Sequence, residues 1–420
     1  MTRTGKADYL LLLLASAVLI NGVVVVGLVQ KHMDYPVLGA IAAVVMAWFG
    51  VSIYLSKTGY HGDPLFFPLT AVLSAIGLIM VFRLTPDLFF SQVLWMLLGI
   101  AAFGLTVHFS KNLEALTKYK YICGFIGISL LLAAIVLGVD IGGHRSWVIL
   151  GPIRFQPSEF AKLFIVIFLA AYLNERREVL AYASKRVGPF MLPHPRFVAP
   201  LLVVWGITML VLVLQRDMGS ALLYFSITIL MSYMASGRLS YILIGAVLFL
   251  GGSVLCYMLY PHIQTRVDIW LNPWADPNGR AYQIVQSLFA FGSGGMLGSG
   301  LGYGFPNMIP EVHTDFIFAA IGEELGFLGA GAVMLIYILL VYRAFRTAWL
   351  QEDPFYALLG GGLSASMGLQ IFLIIAGVTK FFPLTGITLP MISYGGSSVL
   401  SGFILLGILF GISEMRPKNI

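Results

Sequence analysis

Residues 10–29 read LLLLLASAVLINGVVVVGLV, a run in which Ser16 and Asn21 carry the only polar side chains. Twenty such residues make a helix about 30 Å long, the thickness of a bilayer's hydrocarbon core. Residues 242–259, ILIGAVLFLGGSVLCYML, repeat the pattern far downstream. Neither run alternates apolar with polar, as a strand of a membrane β-barrel would. In lipid the backbone must satisfy its own hydrogen bonds, so these runs are read as helices. The whole chain agrees. Of 420 residues, 59% are hydrophobic and 10% charged, and the mean hydropathy is +0.91; a soluble domain has about 25% charged residues.

Windows of about 19 residues predict spans near 9–29, 36–55, 65–84, 88–108, 120–139, 157–174, 197–214, 218–236, 239–260, 316–342, 356–378 and 394–413. The fold class is therefore an all-α integral membrane protein, a polytopic bundle of about 12 transmembrane helices. Tyr35-Pro36, Gly62-Asp63-Pro64 and Pro86-Asp87 punctuate the first boundaries, because proline lacks an amide donor and restricts its predecessor. Arg3 and Lys6 ahead of Ala15-Ser16-Ala17 resemble a secretory signal, but the apolar run continues to Val29 and reads as an anchor. Cys123 and Cys256 both fall inside apolar runs, which leaves no readable disulfide framework.

The net charge of +6 does not indicate nucleic acid, since the basic residues are spread over short loops. With the N-terminus in the cytoplasm, sixteen of the 25 Lys and Arg fall on that side, eight fall outside, and Lys162 lies within a span. The positive-inside rule thus places both termini and the Asn174 to Arg196 linker in the cytoplasm, and the long connection from His262 to Thr314 outside. No repeat with matching broken helices, as in many secondary transporters, is visible.

Several constellations can carry chemistry. Residues 291–304, FGSGGMLGSGLGYG, concentrate glycine in the external loop. No βαβ context or Lys-Ser/Thr pair surrounds them, which excludes a nucleotide-binding loop. They are either a surface loop of tight turns or backbone that admits a diphosphate. Asp315 follows Glu311 and His313 and precedes an apolar helix. It either caps that helix, or abstracts a proton or holds a divalent cation. Glu159 and Lys162, three apart in an apolar span, share a helix face as a structural ion pair or a functional one; Glu323 and Glu324 pose the same choice. Gln215-Arg216-Asp217 can cap helix ends or meet an anionic ligand. The Gly- and Pro-broken stretch 383–398 is either a tight helix crossing or the lining of a cavity.

Taken in order, Arg145-Ser146-Trp147, Gln156-Pro157-Ser158-Glu159 with Lys162, Gln215 with Asp217 and Gly219, Pro310-Glu311 with His313-Thr314-Asp315-Phe316-Ile317-Phe318, Gly322-Glu323-Glu324-Leu325-Gly326 and Ser393-Tyr394-Gly395-Gly396-Ser397-Ser398 resemble the SEDS family of RodA/FtsW-type proteins. The resemblance covers roughly residues 65–413. It implies a ten-helix core at 61–420 with an external loop at 261–315, and makes residues 1–60 a two-helix N-terminal extension. It also implies a peptidoglycan glycosyltransferase of the bacterial cell membrane that polymerises lipid II outside the cell, inverting to a β-1,4 linkage, beside a class B penicillin-binding protein. In such proteins the essential acid maps to Asp315. Arg145, Lys162 and a divalent cation (Mg²⁺ or Mn²⁺, with Asp315 a candidate ligand) would offset the leaving diphosphate. Trp147, Glu159, Asp217, Glu311, His313, Ser393, Ser397 and Ser398 are the other candidate substrate contacts. The sequence departs from the family at Ser146, Arg216, Ile374 and Lys380. The rival functions are a lipid II flippase and a non-catalytic scaffold for a transpeptidase.

The topology has a direct check: a cysteine introduced at Ser299 should react with an impermeant maleimide in intact cells. Reaction only after permeabilisation would invert the topology and turn Asp315 inward.

Overall fold

Proline and glycine set most of the helix boundaries seen in the computed structural model, which describes residues 3–31, 34–141, 144–151, 153–178, 184–187, 190–193 and 195–415. The long helices are α1 (Arg3–Gln30), α2 (Tyr35–Lys57), α3 (Phe66–Leu84) and α4 (Phe89–Phe109), then, after a single turn α5 (Ala115–Lys118), α6 (Lys120–Leu137), α7 (Pro157–Glu175), α8 (Pro195–Leu214), α9 (Met218–Ser236) and α10 (Ser240–Leu259). The long connection after α10 carries α11 (Pro261–Leu271) and α12 (Tyr282–Gly294); α13 (Ile317–Trp349), α14 (Pro354–Val378) and α15 (Gly396–Glu414) complete the chain. Among the described residues eleven helices are long and apolar enough to cross a membrane, and residues 199–214 of α8 form a shorter apolar helix. The twelve expected spans are thus all helical. The linker 174–196 is described in part, as a strand pair of 184–187 with 190–193; Arg416 and Lys418, which the charge count includes, lie outside the described residues.

The chain divides into two units: residues 1–108, 264–343 and 370–414 form one, and residues 109–263, 344–369 and 415–420 the other. In the first unit α3 and α15 are the enclosed helices, whereas α2 is largely exposed. Gly77 lets α3 approach backbone, since a Cβ there would sit 2.7 Å from the Ile392 carbonyl oxygen. Near the start of α3, Asp63 accepts from Arg343 Nη2 at 2.7 Å and Nε at 2.9 Å, and its amide donates to Ser413 Oγ. This clasp, buried at Asp63 and half-buried at Arg343, joins the α2–α3 turn to α13 and α15.

The long helix α13 is broken at Gly326, whose φ of 68° and ψ of −171° are not helical. A break leaves carbonyls and amides without intrahelical partners, and in an apolar setting these must find others. The glycine-rich loop supplies them. The amides of Ser299 and Gly300 donate to the carbonyls of Glu323 and Glu324, and the amides of Phe327 and Leu328 donate to the carbonyls of Gly295 and Met296. Only glycine fits at the crossing, because a Cβ on Gly326 would lie 2.3 Å from the Gly298 nitrogen.

In the second unit α6 packs on α7, where Gly127 clears Ile165. Between these helices the chain forms a small antiparallel sheet of β1 (Val139–Ile141), β2 (His144–Leu150) and β3 (Ile153–Phe155), with Val148 opposite Phe155 and Ile149 opposite Arg154. This sheet is an addition to the helical expectation. Val148, Ile149 and Ile153 favour a pleated backbone, and Gly151 turns the chain at a φ of 62°.

Candidate active site

Asp315 stands two residues before the first residue of α13. It keeps a partial opening to solvent. Its Oδ1 accepts from the Thr314 hydroxyl at 3.0 Å. Arg266 of α11 reaches across to the Leu384 and Thr385 carbonyls, both at 3.1 Å. Beside them Gly386 is left-handed, with a φ of 70°, and a Cβ on it would stand 3.5 Å from Arg266 Nη2 and 3.9 Å from Asp315 Oδ2. The carboxylate thus shares a small space with a guanidinium and a bare stretch of backbone. Loss of hydration raises the Asp315 carboxyl to about 6; hydrogen bonds from Thr314 and its own backbone and the charge of Arg266 oppose the shift, and Glu311 adds to it. His313 Nε2 lies 3.7 Å from Glu311 Oε2. Burial pushes the His313 ring below its usual range, against the pull of Glu311. Glu311 is exposed and left-handed, with a φ of 53°.

The irregular stretch between α14 and α15 braces this site. Ser393 accepts from the Leu389 amide and donates to the Thr314 carbonyl. Tyr394 donates its amide to the His313 carbonyl at 2.9 Å, and Thr388 donates to Ser398 Oγ at 2.7 Å. Gln92 of α4 donates to the Ser393 carbonyl and accepts from the Gly395 amide, while the Tyr337 hydroxyl of α13 donates to the Pro390 carbonyl. Ser393, Ser397 and Ser398 are all buried. They therefore belong to a packed crossing whose backbone abuts Asp315.

Glu323 and Glu324 organise the glycine-rich loop. Glu324 pairs with Arg83 of α3 at 2.9 Å and accepts from the Gly302 amide at 3.0 Å. Glu323 accepts from the Phe305 amide at 2.8 Å, and Arg83 Nη2 donates to the Gly304 carbonyl. The loop amides that composition alone leaves open to a diphosphate are in part spent on the protein itself. An open cleft of about 500 Å³ remains beside them, lined by Arg83, Gly302 to Phe305, Asn307 and Met308.

In the second unit Lys162 Nζ contacts Glu159 Oε2 at 2.5 Å, both side chains buried. Asp217 caps α9: it accepts from the Ser220 amide at 3.0 Å and the Ser220 hydroxyl at 2.8 Å, which is the capping arrangement. Arg145 is exposed and donates from Nε to the Gly138 carbonyl, and its amide donates to the Gln215 carbonyl. Trp147 follows it on β2, half-buried. Asp315, Glu311, His313 and the three serines thus fall in the first unit, and Arg145, Trp147, Glu159, Lys162 and Asp217 in the second.

In the sequence, Arg266 and Arg83 register only as topological charges. Arg83 carries a usable signal, since a lone arginine ending the apolar run GLIMVFRL needs a partner and Glu323-Glu324 is an evident one. Arg266 and Gly386 carry none, because only folding brings them to Asp315. No group of three His, Cys, Asp or Glu among the described residues converges to hold a metal.

Residues 63–418 match the family described as cell cycle protein, of the FtsW, RodA and SpoVE type. The chain is similar to peptidoglycan glycosyltransferase RodA of Mycobacterium tuberculosis, at 38% identity over 99% of this chain and 93% of that one. It is also similar to stage V sporulation protein E of Bacillus subtilis, at 33% identity over 84% and 97%. Among solved structures it is similar to a chain from work on structural coordination of polymerization and crosslinking by a peptidoglycan synthase complex, with a TM-score of 0.71, 28% identity and coverage of 85% of this chain and 99% of that one.

The raised Asp315 pKa has a consequence for stability. The folded-state value of about 6 exceeds the ordinary 3.8, so the stability linked to this carboxyl is complete below about pH 3.8 and is lost as pH rises through about 6. Asp315→Asn should therefore be more stable than the parent at pH 8, by on the order of 1–3 kcal/mol, and no more stable near pH 4. Unfolding midpoints across that range check it. A variant less stable than the parent at pH 8 would show that Asp315 is a structural cap.

Proposed function

The chain belongs to the FtsW/RodA/SpoVE family and is a peptidoglycan glycosyltransferase, polymerising lipid II in cell-wall synthesis; we propose that Asp315 is the base of that reaction. The observation that carries this reading is a carboxyl set before α13, raised to about 6 and still partly open to solvent. A base titrating near neutrality is ionised at working pH yet basic enough to accept a proton. The acceptor's 4-hydroxyl oxygen attacks the donor's anomeric carbon as its proton passes to Asp315. The bond from that carbon to the diphosphate breaks, and undecaprenyl diphosphate leaves with the electron pair. A single displacement of an α-linked donor produces the β-1,4 linkage. Thr314 donates to the carboxylate and orients it, and the charge of Arg266 favours its ionised form.

The protein is a multi-pass membrane protein. With both termini cytoplasmic, this chemistry takes place on the external face of the bacterial cell membrane, where a class B penicillin-binding protein would crosslink the product. Arg145 and Lys162 are assigned to offsetting the diphosphate's charge, and Glu159 to holding Lys162. Trp147, Asp217, Glu311, His313, Ser393, Ser397 and Ser398 remain candidate substrate contacts or supports. A divalent cation, Mg²⁺ or Mn²⁺ with Asp315 a candidate ligand, would offset the leaving diphosphate's charge and take most of its oxygen ligands from the diphosphate itself.

Purified protein and labelled lipid II test the assignment. Asp315→Asn should fold and lose roughly 10²- to 10⁴-fold in polymerisation rate. Glycan strands formed by Asp315→Asn at the parent's rate would remove Asp315 as the base, and transport of lipid II without polymer would favour a flippase.

A further inference from the structure

Helices α1 and α2 precede the family match, which begins at residue 63, yet α1 packs closely along α3. Gly22 lies directly against Ile79, where a Cβ would stand 2.4 Å from Ile79 Cδ1. The hairpin is tied at its inner end by Ser52 donating to Asp8 Oδ2 at 2.9 Å and by Tyr9 stacking on Phe49. Its outer end reaches the network that holds the glycine-rich loop. Gln30 Nε2 donates to the Arg83 carbonyl at 2.8 Å, one of the carbonyls in the last turn of α3 that no helical amide reaches. Val29 covers Gly302, since a Cβ there would be 3.1 Å from Val29 Cγ1, and the Gly302 amide is bound by Glu324.

These contacts converge. Arg83 is gripped on its backbone by α1 and on its side chain by Glu324 and Gly304. Glu324 stands in the last turn of the short segment of α13, residues 317–325, whose beginning adjoins Asp315 and whose end is the Gly326 break. A segment of about two turns, buried along its length and isolated by a break, is fixed in register by what holds its two ends. At one end the 389–394 stretch docks on residues 313 and 314. At the other stands Arg83.

We propose that the N-terminal hairpin is a positioning element of the glycosyltransferase, in which Gln30 and Val29 hold Arg83 and Gly302 so that the segment carrying Asp315 stays aligned. The proposal rests on the reading of Asp315 as the base. The hairpin touches no reacting atom; it acts through the Arg83–Glu324 pair and the loop amides that fill the break.

Two variants of the full chain test it by different routes. Gln30→Leu removes the donor while keeping the side chain's bulk, and Gly22→Val wedges α1 away from Ile79. Losing one hydrogen bond of ordinary strength corresponds to about a two- to tenfold change in a local equilibrium. Both variants should therefore raise amide exchange at residues 298–302 by about that factor and lower the kcat for lipid II polymerisation to match, with KM within about twofold. Exchange and kcat equal to the parent's in both variants would overturn the proposal, as would exchange rising uniformly along the chain, the mark of a merely structural support. An Asp315→Asn protein that polymerises normally would remove the base assignment instead, while the exchange measurement would still decide whether the hairpin holds the loop.

Discussion

A helix interrupted among apolar surroundings must have its open hydrogen bonds filled, and the break in α13 at Gly326 is filled by a glycine-rich loop from the preceding connection. The first unit is built around this constraint. It accounts for glycines at 298, 300, 302 and 326, where left-handed backbone or close approach excludes a side chain. It also explains why the two glutamates just before the break are turned on the loop, one to the Phe305 amide and one to Gly302 and Arg83. The break thereby creates a short, separately held piece of helix with an acid just before its N-terminal end.

The charges of the chain sort by how completely they are answered. Glu324 has Arg83, Asp63 has Arg343 and Glu159 has Lys162, each within 3 Å. Removing one partner from a pair of this kind costs about 3–5 kcal/mol, because the survivor stays buried and uncompensated. Such pairs lock helices. Asp315 is different: a hydroxyl and its own backbone satisfy it in part, Arg266 is bound to the 384 and 385 carbonyls, and the carboxyl rises to about 6. An acid that the fold leaves strained in its ionised form is one that a proton relieves, which is what a general base requires.

The helices are legible in the sequence because lipid enforces long apolar runs with polar punctuation, and 218–236 is bounded to the residue. The small sheet between α6 and α7 is not, since its strands are short and its glycines resemble any loop. The motif around Asp315 is legible as a carboxylate at a helix entrance, but its setting is not. Arg266 lies 49 positions upstream of Asp315 and Gly386 lies 71 positions downstream, and nothing in either neighbourhood announces the meeting. The glycine-rich loop shows the opposite failure. Its composition suggests amides free for a ligand, whereas two of those amides and two of the loop's carbonyls close the break in α13, a non-local backbone pairing that leaves no trace in side-chain pattern.

That Asp315 accepts the acceptor's proton from a raised pKa is read from kcat/KM for lipid II polymerisation, measured well below saturation from about pH 3.5 to about 8, because kcat/KM reports the groups of the free enzyme. The rate should fall on the acid side with a midpoint near 6, where this carboxyl takes up its proton. A rate that stays flat through that interval, or falls only near the ordinary carboxyl value of 3.8, would contradict it.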